Sequence, residues 1–479
     1  MMLITTMSLL TVVAVQAAPQ DTLTLQRAIQ IAQDRGHQAR AVRATRDASR
    51  YRDDGFRATL MPQLSLTGTL PEYNRSIVEV NDQAGTQFVS REQTRSTLGL
   101  QLSQRLPLTG GLLFVQSQLA QFQETGVSSF RQWSSTPFTI GLQQEILRPN
   151  FTGWNQREQS IRIGRDERVY LEGMEDVALS VTGLFFDAYA AKVALANAVT
   201  NAAVNDTLYR LNTGRYEVGR IGENDLLQSE LALLRSRSAL ESARLEYDRT
   251  MGALRIALAL PASANPEVVV EQVVPGYSAD STRAVTEARR NRALVSDLEL
   301  QDVQAQRQVR QARAQYGVGA TVSATYGYNN TAPSASLAYR DLLDYRRFSV
   351  AVTMPLWTWG AGASAVRAAK ADQDRIESMQ ENAIETLSHE AKFAALELEQ
   401  ARRNVELLAK ADSVAGRRFE VAYNRYGIGR ITIDNLYIAQ NEKDAALTQF
   451  VAGLRRYWQA HYRLRRTTLY DFQNDRAIR

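Results

Sequence analysis

The strongest constraint on this chain is a heptapeptide that occurs twice. The sequence RYEVGRI at 215–221 returns as RYGIGRI at 425–431, which places Tyr216 and Tyr426 210 residues apart (426 − 216 = 210) in a chain of 479. Each copy separates two stretches with helical periodicity. An internal repeat of this size determines the architecture before any local motif does, so we expect two structural repeats, each a long helical hairpin with a glycine turn at its tip.

Small and apolar residues in both hairpins recur at alternating spacings of three and four. This pattern runs from Met174 to Ala202 in the first copy and from Ile384 to Ala422 in the second. It is typical of a heptad seam, and its many alanines favour close helix packing. The longer helix of each hairpin should extend about 90 Å at about 1.5 Å per residue. The predicted helices are 156–213 with its return 224–258, and 363–424 with its return 433–466.

The segments between the helices alternate apolar with small polar residues, which is typical of strands between lipid and a watery lumen. The first copy also carries an insertion of 48 residues with two more such runs, joined by a turn at 107–111. We expect long loops at 74–95 and 123–136. The inserted runs are either two more strands of the sheet or a projecting extracellular hairpin. The predicted strands are 64–73, 97–106, 111–121, 137–147, 320–329 and 347–354.

Six strands are too few to close a membrane barrel, since small barrels start near eight. An open sheet edge does not occur in lipid. The sequence therefore predicts either an assembly of several copies or an exposed edge, and symmetric assembly is the simpler solution. Four of the five tryptophans, Trp133, Trp154, Trp357 and Trp359, lie at or just beyond strand ends. This placement suits a membrane-interface belt, and buried aromatic residues of a soluble core would be about as common.

Composition excludes several classes of function. The net charge is only +5, and the arginines are interleaved with acidic residues, which argues against nucleic acid as a partner. There are no cysteines and only three histidines, His37, His389 and His461, which are scattered along the chain. No nucleophile with a base, phosphate loop or pair of catalytic acids is recognisable. We therefore predict no enzyme activity, no catalytic residue, no cofactor and no metal site.

The N-terminal residues indicate export. Residues 3–16 are apolar, and Val15 and Ala17 fit the small-residue rule for signal-peptide cleavage before about residue 19. No other uninterrupted apolar run is long enough for a transmembrane helix. The predicted domains are a signal peptide 1–18, a first repeat 19–260, a linker 261–282, a second repeat 283–472 and a tail 473–479.

The sequence resembles the TolC-like outer-membrane efflux proteins over nearly the whole mature chain. Four motifs carry the resemblance in order: LTLQRAIQIA at 23–32, MPQLSL at 61–66, MPLW at 354–357 with Gly360, and RRTTLYDF at 465–472. The resemblance implies a homotrimer, with an outer-membrane β-barrel that continues into a periplasmic α-helical barrel. It also implies an exit duct that works with a periplasmic adaptor protein and an inner-membrane transporter. A passive porin and a periplasmic coiled-coil scaffold are the alternatives, and the cargo stays open.

The same resemblance assigns roles to the hairpin tips. It implies that the adaptor docks at Val218, Gly219, Arg220, Ile428, Gly429 and Arg430. The family's link between hairpins, a tyrosine bonded to an aspartate, corresponds to Tyr426 and Asp225. The family's acidic entrance ring falls on Asn435 and Ile438, with Asp434 adjacent. An apolar ring at Ile438 would close a pore by dewetting rather than by charge.

Overall fold

The computed structural model describes residues 22–82, 85–126, 129–271 and 273–479, so the predicted signal peptide lies outside the described residues. The fold is α+β. The helices are α1 (Leu25–Arg35), α2 (His37–Thr59), α3 (Phe151–Glu217), α4 (Glu223–Ala257), α5 (Ser281–Asn291), α6 (Ala293–Gln315), α7 (Ala335–Ala338), α8 (Ala361–Gly427) and α9 (Ile433–Thr468). The strands are β1 (Thr22–Leu23), β2 (Gln63–Asp82), β3 (Gly85–Arg105), β4 (Leu112–Thr125), β5 (Phe130–Ile146), β6 (Glu267–Val268), β7 (Gly319–Ala332), β8 (Leu343–Thr353), β9 (Tyr470–Asp471) and β10 (Arg476–Ala477).

The long helices α3 and α8 have the same length, 67 residues each, or about 100 Å at about 1.5 Å per residue. Both are followed by a short turn and a return helix, α4 or α9, near the predicted positions. Their seam residues are buried as the heptad pattern predicts. The buried seam positions are Val177, Val181, Ala188, Ala191 and Ala198 on α3, and Leu387, Ala391, Ala394, Leu398 and Val405 on α8.

The chain forms two compact units. The first unit comprises the described residues up to Ala44, together with Tyr170–Asn291 and Ser388–Arg479. The second unit comprises Thr45–Val169 and Arg292–Leu387 and contains the large sheet. The core of the first unit packs apolar side chains of α1, α3, α4 and α9, with Phe185, Phe186 and Tyr457 fully buried.

The large sheet of the second unit has six antiparallel strands in the order β2-β3-β4-β5-β7-β8. The inserted β3 and β4 are therefore members of this sheet and not a separate hairpin. Beyond Glu92, where the β3–β4 pairing ends, β2 and β3 continue to pair with each other as a two-stranded ribbon to Asp82 and Gly85.

The prediction of long loops at 74–95 and 123–136 is wrong. Most of the described residues in these two ranges lie in strands. The error has a physical cause, because backbone pairing continues here without the apolar alternation by which strands are recognised. Ion pairs between side chains stabilise the strand pairing here instead. Arg75 and Glu92 are 3.4 Å apart, and Arg91 and Glu124 are 2.6 Å apart.

The sheet has two chemically different faces. Leu66 lies opposite Leu100, and further along the same face Val115 lies opposite Ile140, and Val322 opposite Val350. The other face carries small and polar residues, with Ser65 opposite Gln101, Gln101 opposite Gln116, and Gln116 opposite Thr139. Because successive side chains of a strand point to opposite faces, one face of the sheet is apolar and the other polar.

Short strands connect the chain ends of the first unit to its core. The predicted linker contributes β6, which pairs in parallel with β1, and the predicted tail contributes β10, which pairs with β9. Among the described helices, only α3 is long and apolar enough to cross a membrane by length and composition. Core helices of soluble proteins pass the same test, and Val181, Phe185 and Phe186 of α3 are buried in the first unit.

Candidate functional site

Both copies of the heptapeptide end their long helix with the same backbone turn. Gly219 and Gly429 each have φ of +73°, a left-handed conformation that glycine adopts without steric penalty. In the first copy the amide of Arg220 donates to the carbonyl of Arg215 at 2.8 Å, and the equivalent bond in the second copy is 2.9 Å. These bonds satisfy the last carbonyls of α3 and α8, as in a Schellman motif.

The six predicted docking residues are all exposed at these turns. Val218 and Ile428 are each 68% exposed although both are apolar. Arg220 and Arg430 lie beside them at the surface. Each tip therefore presents one apolar side chain and one guanidinium to the exterior, a combination suited to a protein partner that offers carboxylates or carbonyls.

The two hairpins meet in a small apolar core near the tips, which we call the tip cluster: Leu208, Tyr426, Ile433 and Leu436. Leu208 comes from the first hairpin and the other three from the second. Tyr426 is only 4% exposed, whereas the equivalent Tyr216 is 42% exposed. The two tyrosines of the repeated motif therefore have different environments.

Within the single chain Tyr426 bonds to Asn212 and not to Asp225, so the Tyr426–Asp225 link stays a prediction for an assembly of several copies. The hydroxyl of Tyr426 donates its single proton to Oδ1 of Asn212 at 2.6 Å. Arg215 adds a second bridge, since its Nη2 donates to the carbonyls of Tyr426 at 3.3 Å and Gly427 at 2.8 Å. Its guanidinium also lies 5.1 Å from the centre of the Tyr426 ring. The second tip is thus held by groups from the end of α3, and Asp225 lies in the first turn of α4.

The other predicted gate residues lie at the start of α9. Asp434 accepts a hydrogen bond from Gln228 at 2.6 Å and so joins the two return helices. Asn435 donates to the hydroxyl of Thr432 within its own helix turn, at 3.0 Å. Ile438 is 48% exposed one turn further along. All three residues are exposed, and Asp434 alone of them bonds to the first hairpin.

A row of buried polar groups, which we call the polar seam, runs from the tips between α3 and α9. Five of its side-chain atoms are buried without a hydrogen-bond partner among the described residues: Asn201 Oδ1, Asn205 Oδ1, Asn212 Nδ2, Tyr437 Oη and Gln440 Oε1. Burial also raises the pKa of Tyr437. Beside the seam lies a cavity of about 900 Å³ between α3, α4 and α9. Each unpartnered buried group costs about 1–3 kcal/mol, so packing at this end is less favourable than an all-apolar seam.

Sequence reasoning missed Asn212, Arg215, Gln228 and the polar seam. Two residues of the polar seam did leave a recognisable pattern in the sequence. Asn205 and Asn212 continue the three-and-four spacing of the α3 seam beyond Ala202, so that asparagine occupies positions where an apolar residue is expected. Polar residues at seam positions specify helix register at the expense of stability. Arg215 and Gln228 carried no such signal, because their partners lie on other helices.

The four tryptophans lie in the second unit. Trp133 is within β5, and Trp154, in the first turn of α3, lies 5.3 Å from the guanidinium of Arg310. Trp357 and Trp359 follow β8, with their rings 5.4 Å apart, and are 74% and 91% exposed. Among the described residues no group of three or more His, Cys, Asp or Glu side chains is placed to hold a metal ion.

The fold is similar to solved outer-membrane channels. The CmeC outer membrane channel of Campylobacter jejuni is 15% identical, with a TM-score of 0.67 over 93% of this chain and 85% of that chain. VceC, an outer membrane protein of Vibrio cholerae, is 14% identical, with a TM-score of 0.65 over 93% and 95%. The open state of the MtrE outer membrane channel of Neisseria gonorrhoeae is 14% identical, with a TM-score of 0.61 over 95% and 90%.

Neither a protein-family model nor a curated protein matches the sequence. At such low identities the structural likeness shows the fold alone. It extends over nearly the whole of this chain and of each channel, so the chain has the fold of these outer-membrane channels. This agrees with the α+β fold that the resemblance to TolC-like proteins implied.

Proposed function

We propose that this chain, which has the fold of outer-membrane channels, is the outer-membrane exit duct of a tripartite export system. In this proposal three copies close the sheet into a β-barrel in the outer membrane, and the two helical repeats of each copy form a periplasmic α-helical barrel. Substrates pass passively from a periplasmic adaptor and an inner-membrane transporter to the exterior. The observation that carries the proposal is the channel fold itself, which spans at least 93% of the chain in the three comparisons.

The two-faced sheet supports a place in the membrane. Leu64, Leu66 and Phe348 are between 66% and 73% exposed, all on strands that lie at the sheet's edges. Water disfavours such a surface, whereas the hydrocarbon core of a bilayer accommodates it. The polar face would then line the lumen, and Trp357 and Trp359, exposed just after β8, suit a membrane-interface belt.

The helices of the first unit support assembly from several copies. Leu407, Val414 and Val421 of α8, and Ile428 directly after its end, are each more than half exposed and recur every seven residues. On α4, Leu227, Leu231 and Leu234 form a similar exposed row. Heptad-spaced apolar residues are the seam of a helix–helix contact, so both rows suit contacts with further copies or with an adaptor.

The hairpin tips support an adaptor site and a gate at one end of the duct. Val218, Arg220, Ile428 and Arg430 are exposed there without being needed for the tip cluster. Next to them Asp225, Tyr426, Asp434, Asn435 and Ile438 are the gate candidates. Of these, Tyr426 and Asp434 bond to residues of the first hairpin, close in sequence to the exposed docking residues, which supports a gate beside the adaptor site.

The alternatives explain less of the molecule. A passive porin has no use for two helical hairpins of more than 90 residues each. A periplasmic coiled-coil scaffold leaves the exposed apolar face of a six-stranded sheet without a role. The exported cargo is not defined by any of these features, because they concern assembly and docking.

Site-specific photo-crosslinking in cells tests the proposal. A photoreactive residue at Ile428 should crosslink to a periplasmic adaptor in outer-membrane fractions. The matched control is Leu245, which is exposed on α4 but lies about 33 Å along the helix from its start at about 1.5 Å per residue. Equal crosslinking at both positions, or a protein that stays out of the outer-membrane fraction, would contradict the proposed duct.

A further inference from the structure

We infer that Arg310, Arg313 and Arg367 form a binding site for the phosphate headgroup of an anionic phospholipid at the helix-side margin of the large sheet. This margin is where α2, α3, α6 and α8 join the ends of the strands. The inference rests on the proposed place of the sheet in the outer membrane and adds a lipid ligand to it.

Positive charge is concentrated at this margin. The twelve residues of each of the four helices that are nearest the sheet, with the loops that join them to it, are 48–62, 147–162, 304–318 and 354–372. These ranges contain eleven basic and four acidic residues, a net charge of +7, whereas the whole chain has a net charge of only +5. Such a band attracts an anionic surface.

The carboxylates of the band do not neutralise its exposed arginines. Asp53 pairs with Arg57 at 2.8 Å, and Glu158 pairs with Arg307 at 2.8 Å.

The three arginines of the inferred site, Arg310, Arg313 and Arg367, are exposed. Among the described residues no carboxylate forms an ion pair with any of them. Arg310 lies over the ring of Trp154 at 5.3 Å, and Arg367 donates to the hydroxyl of Ser364 at 3.5 Å. Their charges are therefore available to a ligand.

The packing of α6 against α8 places these arginines at one level. A Cβ atom added at Gly362 would lie 2.8 Å from Cβ of Tyr316, so the end of α6 contacts the start of α8. The helix α6 runs toward the sheet and α8 runs away from it. Arg313 and Arg310 lie about 5 and 9 Å from this contact along α6, and Arg367 lies about 8 Å from it along α8, at about 1.5 Å per residue.

The chemistry along β8 and the chain that follows it changes in the order of a lipid leaflet. Val350 and Val352 are more than half exposed on the apolar face of β8. Trp357 and Trp359 follow, and they are more exposed still. The level of Arg367 comes next. A leaflet likewise passes from hydrocarbon through an interface that tryptophan favours to the charged headgroups.

Guanidinium groups suit a lipid phosphate for two reasons. They donate pairs of hydrogen bonds to phosphate oxygens, and their long side chains extend along apolar surface to reach a headgroup. An anionic phospholipid keeps the full negative charge of its phosphate, whereas a zwitterionic lipid offsets it with its own cation. The site should therefore prefer the anionic lipid. The adjacent tryptophans contact acyl chains, which free phosphate lacks.

Native mass spectrometry of the detergent-solubilised protein tests the inference with two soluble lipids, dioctanoyl-phosphatidylglycerol and dioctanoyl-phosphatidylcholine. The original protein should bind the anionic lipid at least tenfold more tightly, since each arginine near an anionic headgroup contributes about fivefold. The triple variant Arg310→Gln, Arg313→Gln and Arg367→Gln should lose this preference. The single variant Arg313→Gln should lower it about fivefold and repeats the test if the triple variant folds poorly.

The matched control is a second triple variant, Arg235→Gln, Arg417→Gln and Arg456→Gln. It removes the same charge from exposed arginines of the first unit and should keep the preference for the anionic lipid. Equal loss in both triple variants would mean that total charge, and not this site, selects the lipid.

Three further results would overturn the inference. The original protein would bind both lipids equally, or inorganic phosphate at the same concentration would displace the anionic lipid, which would mean an anion site without lipid specificity. Alternatively, the triple variant at the margin would change the oligomeric state and keep the lipid preference, which would make the arginines an interface between copies. In each case a protein found in outer-membrane fractions leaves the proposed duct intact, whereas its absence from them contradicts the duct itself.

Discussion

Buried polar groups are hydrogen-bonded at one end of the first unit, whereas several of them have no partner among the described residues at the other end. At one end Arg465 donates to both oxygens of Glu175, at 3.0 and 3.1 Å, and to Asp471 at 2.6 Å. We call these three residues the arginine clamp. At the other end, near the hairpin tips, the polar seam keeps groups such as Asn212 Nδ2 and Gln440 Oε1 buried without a partner.

This difference indicates where the unit is rigid and where it changes shape. In the arginine clamp one guanidinium bonds to both carboxylates. Burial alone would lower the pKa of Arg465, but Glu175 and Asp471 outweigh it and raise that pKa above its ordinary value. The tip cluster has only four buried residues and lies next to unsatisfied groups. Rearrangement at the tips therefore forfeits less free energy than rearrangement at the clamp, as is expected of the part of a protein that opens locally. The following predictions test this contrast, starting with the largest expected effect.

Substitution of Arg465→Ala should lower the free energy of unfolding by about 3–5 kcal/mol, because Glu175 and Asp471 would remain buried without their partner. Urea-induced unfolding of the detergent-solubilised protein measures this. Arg463→Ala is the matched control, since the Arg463–Glu397 pair has both side chains about half exposed and should contribute about 0–1 kcal/mol. Equal losses in the two variants would remove the basis for calling the clamp the rigid end.

Acidification should weaken the same end through His461. Burial lowers the pKa of His461 from 6.5 to about 4, and Arg465 shifts it in the same direction. The unfolded chain therefore binds a proton near pH 6.5 that the folded chain accepts only near pH 4. The contribution is fully present above pH 6.5, decreases as the pH falls and is lost below pH 4, in total about 3 kcal/mol. Tyr277, whose hydroxyl lies 2.5 Å from Nδ1 of His461, is the contact that suits the neutral ring.

The variant His461→Gln isolates this effect, because it has no titratable ring. Between pH 6.5 and 4 the unfolding midpoint of the original protein should fall more steeply with decreasing pH than that of the variant. Above pH 6.5 the two pH profiles should run parallel. If the two pH profiles run parallel between pH 6.5 and 4 as well, His461 takes up its proton in the folded state. The region around the arginine clamp would then tolerate a second positive charge beside Arg465.

At the tips, Tyr426→Phe should destabilise the closed arrangement by about 1–2 kcal/mol, because it removes the donor to the buried Asn212. In the proposed duct this raises the conductance of the closed channel in planar bilayers. Tyr216→Phe is the matched control from the other copy of the motif, where the tyrosine is exposed, and should leave conductance unchanged. A closed channel that is equally tight in both variants would show that the hydrogen bond does not hold the tips.

The sequence predicted the parts of the fold whose signals are local. The heptad spacing located α3 and α8, the glycines of the repeated heptapeptide located the tips, and apolar alternation located all six strands of the sheet. The outer parts of β2 and β3 were missed because their cross-strand ion pairs leave no alternating pattern in either strand alone.

Contacts between distant helices were the least predictable part of the site. Asn212 and Tyr426 lie 214 residues apart, and which residues face each other depends on the relative register of α3 and α8. Spacing within one helix does not define that register. The resemblance instead suggested Asp225, which lies in the first turn of α4, whereas the partner within the single chain lies on α3. Asn205 and Asn212 were within reach of sequence reasoning, since both interrupt an otherwise apolar seam.

The smallest predicted effect concerns the polar seam itself. Gln440→Leu replaces a buried amide, whose Oε1 has no partner among the described residues, by an apolar side chain of similar size. The closed packing of α3 against α9 should gain about 1 kcal/mol. Hydrogen exchange near the tips should therefore slow about fivefold at 25 °C, while exchange in the helix turns around Arg465 stays unchanged. If exchange at the tips becomes faster instead, the amide has a partner in the assembled duct, and the contrast between the two ends holds only for the single chain.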